Sequence, residues 1–405
     1  MNPTKFHRVV VTGMGVISPL GNDLATFCTN LQNGRSGEGP ITRFNTDAYR
    51  FKRAFEVKDF SDHAYRVHIL DPFIQYAVGA TTEAVADSGL DLAKLDPYRI
   101  GISVSSSKGG VSTYDRFADK LRSRPHAILG ARVYSNVVPN FAAQWIARRW
   151  KINGPARCYV AACATGTVAV IEGARMIQDG IVDCCIAGAS DASIVPLMLA
   201  GYSQMKALSP DGMRPFDRRR RGFLVGEGAG ILILESLEHA QARKARIYGE
   251  IVNFSYGSDS KGLTHFSDKT ALAHTLQQLL QRCGWKAEAI DYVNLHGTGT
   301  RAGDIYETEQ LKRAFGPAAA HIPMSSTKSM TGHLLGASGA VEMIATFLAM
   351  RDGFIPPTIG LEEPDPACDL DYTPIHARKK ILRRAISLSM GFGGHIATIA
   401  LERFL

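Results

Sequence analysis

Apolar runs of strand length recur along the chain at Arg8–Val16, Arg99–Val104, Val182–Gly188, Gly230–Glu235, Ile290–Leu295, Ala385–Met390 and Ala397–Leu401. Between them lie stretches with helical spacing. Phe73–Ser88 stops at Gly89, Ala273–Cys283 stops at Gly284, and the small-residue-rich Leu334–Met350 ends near Gly353. Strands that read as nearly continuous apolar runs, alternating with helices, predict an α/β fold whose sheets are covered on both faces. A faint internal echo accompanies this pattern. One strand-like stretch reaches a tight turn at Cys163, and Ala385–Met390 reaches Gly391-Phe-Gly-Gly394. The echo hints at two similar halves that bring loop ends together.

Composition narrows the class. The 405 residues are 45% hydrophobic and 21% charged, an ordinary globular profile with room for two domains or one large double domain. No apolar run reaches the ~20 residues that span a bilayer. The opening Met-Asn-Pro-Thr-Lys-Phe-His-Arg has neither the apolar core nor the cleavage site of a signal peptide, so a cytoplasmic location is expected. Seven scattered cysteines form no C-x-x-C pair and no zinc-like cluster, so reduced thiols are expected. The net charge of +8 concentrates in Arg218-Arg-Arg-Arg221 and in Arg378-Lys-Lys380 with Arg383-Arg384. Such runs read either as solvated faces or as docking sites for an acidic partner. Nothing resembles a zinc finger, an aromatic RNA-binding motif or a basic zipper, so nucleic acid is not expected.

Cys163 is the first candidate for chemistry. Tyr159-Val-Ala-Ala-Cys-Ala-Thr-Gly166 reads as a strand, a turn and a helix whose first turn carries the thiol. A helix N-terminus favours thiolate, the nucleophilic form. The alternative is a buried core cysteine, which is what most free cysteines are. Two further turns shift the balance. His296 lies in Asn294-Leu-His-Gly-Thr-Gly-Thr300, and His333 in Lys328-Ser-Met-Thr-Gly-His-Leu-Leu-Gly-Ala-Ser-Gly339. Each sits among glycines and hydroxyls where backbone can approach a ligand, and together they suggest a cysteine nucleophile with histidine partners.

On these segments the chain resembles the β-ketoacyl-acyl carrier protein synthases of the thiolase superfamily, nearest to the elongating synthases I and II and to type II polyketide ketosynthases. Val10–Gly15, Asp71–Tyr76, Arg214-Pro-Phe-Asp217, Gly222–Gly230, Asp304, Glu307, Glu342 and Gly391–Gly394 extend the match over essentially the whole chain. The resemblance implies a thiolase fold. Two similar halves, 1–250 with the nucleophile and 251–405 with the histidines, would form a five-layer αβαβα sandwich. It implies that Cys163 holds an acyl group, with the N–H groups of Cys163 and Phe392 as oxyanion hole. His296 and His333 would donate from Nε2 to the enolate left when a malonyl extender loses CO₂. Lys328, paired with Glu342, would organise charge around His333. Thr298 and Thr300 would bind the phosphopantetheine arm, which arrives on an acidic acyl carrier protein, so no resident cofactor is expected. Phe392 would gate the nucleophile and Phe223 line the tunnel entrance.

Three departures qualify the resemblance. The stretch before Asp71, Ala64-Tyr-Arg-Val-His-Ile-Leu70, lacks the basic helix expected there, so the carrier is expected on Arg218, Arg219, Arg220 and Arg221, or else the partner is a different carrier. Lys108, in Ser105-Ser-Ser-Lys-Gly-Gly110, replaces an apolar residue beside the acyl pocket. Three readings stand: it shortens the pocket, it pairs with a polar or anionic substrate group, or it faces solvent or a dimer-interface carboxylate. Leu388 and Ile396 place apolar groups in the closing loop, so no metal is expected there and His395 is expected to be structural. A homodimer is expected, with a heterodimer open. The leading reading is a condensing enzyme, in fatty acid or specialised lipid and polyketide synthesis. A chain-length partner is disfavoured because it would lack the nucleophile. A degradative thiolase is disfavoured because no second cysteine lies in Leu388–Ile396.

Overall fold

The computed structural model describes residues 6–61, 70–130 and 133–404. Its main sheet contains β1 (Val9–Ile17), β2 (Ile100–Ser105), β3 (Ala156–Arg157), β4 (Cys184–Asp191), β5 (Gly228–Ser236), β6 (Gly249–Ser258), β7 (Tyr292–Asn294), β8 (Met324–Ser325), β9 (Arg384–Gly391) and β10 (His395–Glu402). The order is β8-β7-β9-β10-β6-β1-β5-β4-β2-β3. Read outward from the middle, one side runs β1-β5-β4-β2-β3 and the other β6-β10-β9-β7-β8. On both sides the first two pairings are antiparallel and the last two parallel. A short antiparallel ladder, Val9–Val11 against Gly249–Ile251, joins the two sides.

Six helices complete the layers: α1 (Pro72–Ser88), α2 (Phe141–Trp150), α3 (Thr165–Gln178), α4 (Ala271–Cys283), α5 (Arg301–Phe315) and α6 (Ser338–Asp352). α3 and α6 lie between the two sheet halves and pack on strands of both. Their apolar residues share one core cluster with β1, β5 and β10. α1 and α2 cover the outer face of the first half, and α4 and α5 that of the second. This is the five-layer thiolase arrangement. Burial on both faces explains why β1, β4 and β5 read as unbroken apolar runs, since every residue in them is buried. Local signals set the helix ends. The Asp71 side chain accepts the Phe73 N–H ahead of Pro72 at the start of α1, and Gly89, Gly284 and Gly353 close α1, α4 and α6 in the left-handed conformation.

Two expectations change. The helix expected over Leu334–Met350 begins at Ser338, after a 3₁₀ turn over Leu335–Ala337. The structural counterpart of the Cys163 turn is also not Gly391–Gly394. Ala162-Cys163-Ala164 forms a 3₁₀ turn just before α3, and Leu335-Gly336-Ala337 forms the same turn just before α6. The backbone matches closely, with φ of 48° at Ala162 and 52° at Leu335. Cys163 therefore corresponds to Gly336. Among the described residues no helix is long and apolar enough to cross a membrane.

Candidate active site

The turn that carries Cys163 is held from three sides. The Ala161 N–H donates to Thr165 Oγ1 at 2.9 Å. α3 crosses α6 at Gly166 and Gly339. A Cβ on Gly166 would lie 2.8 Å from Ala340 N, and one on Gly339 2.0 Å from Thr167 Oγ1. Gly391, at the end of β9, faces the turn, where a Cβ would lie 2.6 Å from Ala161 O and 3.0 Å from Cys163 N. The left-handed φ at Ala162, rare for a residue with a Cβ, is thus fixed by close packing, as strain at functional sites commonly is.

The thiol meets an imidazole. His333 Nε2 lies 3.0 Å from Cys163 Sγ, and His333 Nδ1 lies 3.1 Å from Ser338 Oγ. The His333 N–H donates to Leu224 O and its C=O accepts from Gly226 N–H, both at 2.9 Å. Phe223 stands edge-on to the His333 ring, with centroids 5.0 Å apart. The His296 ring is perpendicular to that of His333 at 5.6 Å.

α5 holds the His296 loop through two carboxyl groups one turn apart. Glu307 accepts the N–H groups of His296 at 2.7 Å and Gly297 at 2.8 Å. Asp304 accepts those of Gly299 at 3.0 Å and Phe216 at 2.8 Å. Gly297 and Gly299 take φ of 38° and 76°, which glycine adopts freely. Lys328 is fully buried and ion-paired with buried Glu342.

Burial sets the charge states. It pushes the Cys163 thiol up to about 11, although Lys108, Lys328 and the Phe392 N–H pull the other way. Burial, followed by the Lys328 charge, holds both histidines well below the usual imidazole range. The resting pair is therefore a neutral thiol beside a neutral imidazole. The thiolate expected from the helix N-terminus is disfavoured at rest, because desolvation outweighs the nearby ammonium groups and the Phe392 N–H.

A cavity of about 520 Å³ runs down to this cluster. Its floor includes Cys163, His296, His333, Phe223, Tyr202 and Leu335. Thr298, Thr300 and Phe392 line its wall, and the Thr298 and Thr300 hydroxyls lie 3.1 Å apart. The exposed Lys206, His265 and Arg301 mark its mouth. The structure thus brings together Cys163, His296, His333, Thr298, Thr300, Phe223 and Phe392, with the Lys328–Glu342 pair behind them. Lys108 is half-buried nearby, its charge acting on both Cys163 and His333.

Of the arginine tetrad, Arg218, Arg219 and Arg221 reach the surface and Arg220 does not. Arg220 is buried, paired with Asp304 at 3.1 Å and Asp365 at 2.7 Å, and locks the loop over the start of α5. Arg218 pairs with Glu363, and Arg219 with Asp217 and Glu362. Arg221 is exposed beside Gly222, whose N–H donates to Gly299 O at the cavity wall. In the second basic cluster Arg378 pairs with Asp371 and Arg384 with Glu402, at the strand ends remote from Gly391. His395 is exposed at the start of β10. Residues 64–69 of the stretch that lacks the basic helix lie outside the described residues. Among the described residues no three His, Cys, Asp or Glu side chains converge as a metal-binding group.

Two doubled sheet halves with a thiol and two imidazoles between them define an acyl-transfer enzyme of the thiolase fold. The chain belongs to the β-ketoacyl synthase family: the N-terminal domain of that family matches residues 6–240 and the C-terminal domain residues 248–362. It is 40% identical to a 3-oxoacyl-[acyl-carrier-protein] synthase 2 of Synechocystis sp., over 98% of each chain. Among solved structures it is similar to the ishigamide ketosynthase/chain length factor, with 35% identity, a TM-score of 0.93, and 99% of this chain and 100% of that one covered. It is also similar to a ketosynthase solved with a type II polyketide synthase acyl-carrier protein and bound to the hexaketide. There the identity is 29% and the TM-score 0.91, over 99% of this chain and 100% of that one.

Proposed function

We propose that the protein is a 3-oxoacyl-acyl carrier protein synthase that joins an acyl group held on Cys163 to a malonyl extender with loss of CO₂. The contact that carries this reading is Cys163 Sγ to His333 Nε2, at 3.0 Å on the floor of an open cavity. In the first half-reaction His333 Nε2 accepts the thiol proton as sulfur attacks the acyl thioester, and the proton leaves on the carrier thiol. The tetrahedral oxygen takes hydrogen bonds from the N–H groups of Cys163 and Phe392. The malonyl thioester then loses CO₂. Its enolate oxygen lies between His296 and His333, both donating from Nε2, and its carbon attacks the acyl-Cys163 carbonyl. The carbon–sulfur bond breaks, and the released thiolate takes the Nε2 proton of His333, with one proton drawn from water for each CO₂ released.

The second half-reaction needs His333 protonated on Nε2, and the first needs Nε2 free. Ser338 Oγ at His333 Nδ1 serves both, because a hydroxyl donates or accepts. His296 Nδ1 is buried without a partner among the described residues. A bare ring nitrogen is tolerated there better than an orphaned N–H, which puts the proton on Nε2. The buried Lys328–Glu342 pair keeps positive charge close enough to hold both imidazoles neutral. The acyl carrier protein would dock at the mouth near Lys206, Arg301 and Arg221, with its pantetheine arm along Thr298 and Thr300. The cycle as proposed uses no resident cofactor or metal. The protein would act as a cytoplasmic homodimer, in fatty acid synthesis or in specialised lipid or polyketide synthesis.

The test supplies an acyl donor and malonyl-carrier protein and follows CO₂ and 3-oxoacyl product by mass spectrometry. Cys163→Ala should abolish the product. Cys163→Gln, which imitates the acylated residue, should still release CO₂ from the malonyl donor. Condensation by Cys163→Ala would refute the mechanism.

A further inference from the structure

One buried carboxyl group beside the site has no part in the cycle above. Asp191, at the end of β4, is fully buried. Each of its oxygens meets two donors. Oδ1 accepts the Ser106 hydroxyl at 2.6 Å and the Ser107 N–H at 3.1 Å. Oδ2 accepts the Ser107 hydroxyl and, at 2.6 Å, the Gly336 N–H. Three of the four donors come from one loop of the N-terminal half. The fourth comes from the C-terminal half, from the turn between His333 and Ser338. That turn needs an anchor. Leu335 sits at φ 52°, which is unfavourable for a residue with a Cβ. α6, which opens at Ser338, has no side-chain cap of its own. The His333 main chain is fixed separately, by Leu224 O and Gly226 N–H. Its ring Nδ1 meets Ser338 Oγ at 3.1 Å. The place of that hydroxyl is therefore set by the turn, and the turn is tied to Asp191 through the Gly336 N–H.

Ser338 matters most to the step in which His333 acts as base. In the neutral ring Nε2 is free to take the Cys163 proton only when the ring proton is on Nδ1. In this buried site an Nδ1–H without an acceptor is costly, and Ser338 Oγ is that acceptor. With the hydroxyl displaced, the proton moves to Nε2, and the thiol loses its base. The malonyl step tolerates that change, since it uses His333 with the proton on Nε2. We infer that Asp191 is a positioning residue for acyl transfer to Cys163: its bond to the Gly336 N–H holds Ser338 Oγ where it accepts the His333 Nδ1–H. This rests on the condensing reading and adds to it the group that keeps His333 Nε2 free.

The experiment uses the full-length protein and reads the two half-reactions apart. Acylation of Cys163 by an acyl-pantetheine thioester is timed by intact-protein mass. CO₂ release from malonyl-pantetheine is followed in the Cys163→Gln background. Asp191→Asn leaves one acceptor oxygen for four donors. It should slow acylation about 10-fold, part of what a positioned base contributes, and CO₂ release by less than about 3-fold. Gly336→Ala crowds the same bond from the other side, with a Cβ 2.5 Å from Asp191 Oδ2, and should show the same split. Ser338→Ala should slow acylation at least as much. Adding Asp191→Asn to Ser338→Ala should then change the rate by less than about 2-fold, because both act through one hydroxyl. No loss of acylation, equal losses in the two half-reactions, or an Asp191→Asn effect undiminished in Ser338→Ala would each overturn the inference and leave the condensing reading standing. Failure of the unaltered protein to acylate Cys163 would overturn both.

Discussion

The two halves share a strand order and a strand–turn–helix unit, and they differ in what fills the helix N-terminus. In the first half the turn before α3 carries Cys163, and the Phe392 N–H and a cavity lie in front of it. In the second half the turn before α6 carries Gly336, and the Asp191 carboxyl fills the space, taking the Gly336 N–H at 2.6 Å. Asp191 ends β4 as Gly391 ends β9, so the pseudo-equivalent positions hold an acid in one half and no side chain in the other. A helix end is a ready anion site. One copy is plugged by the protein's own acid, and the other opens onto the cavity, where the proposed cycle places the substrate oxyanion. A second difference lies upstream. Four residues, 158–161, link β3 to the first turn, and nine, 326–334, link β8 to the second. The longer link carries Lys328 and His333 across to the open site of the first half.

The comparison can be broken or sharpened by experiment. The largest effect belongs to the open turn. Because burial raises the Cys163 thiol to about 11, its protonated form persists through neutral pH, and alkylation by iodoacetamide should quicken about 10-fold per pH unit up to that region. A rate already level above neutral pH would show a thiolate at rest and would remove the neutral pair. Next comes the plug. Asp191→Ala leaves two hydroxyls and two N–H groups unpaired in a buried site and should cost about 3 kcal/mol or more by chemical denaturation, with Asp191→Asn intermediate. An unchanged midpoint would mean that the second site is not a filled one. The smallest effect compares one side chain at equivalent positions. A Cβ on Gly336 would lie 2.5 Å from Asp191 Oδ2 and 2.7 Å from Ser107 Cβ, so Gly336→Ala should cost about 1–3 kcal/mol. Cys163→Ala should change stability by less than about 1 kcal/mol.

Much of this was legible in the chain because buried strands leave unbroken apolar runs and glycines punctuate helix ends. What escaped has polar or long-range causes. α5 shows no plain apolar stripe, since Asp304, Glu307, Thr308 and Gln310 are buried to hold the His296 loop and neighbouring segments. β6 mixes buried with half-exposed positions. Arg220 hides inside a basic run because its partners, Asp304 and Asp365, lie far along the chain. Ser338 lies within the Lys328–Gly339 stretch, yet only the fold turns its hydroxyl onto the His333 ring. The true pair of equivalent turns is hidden in the sequence, because Ala-Cys-Ala and Leu-Gly-Ala share backbone geometry and almost no side-chain chemistry. The helix N-terminus argued for thiolate, and a local motif cannot report the desolvation that reverses it.

The central claim is that the open turn holds the acyl group. Peptide-resolved mass spectrometry of the protein after exposure to an acyl-carrier thioester tests it most directly. The account predicts one acyl group, on the peptide containing Cys163, lost in Cys163→Ala. An acyl group that persists in that variant, or that sits on a different cysteine, would contradict it.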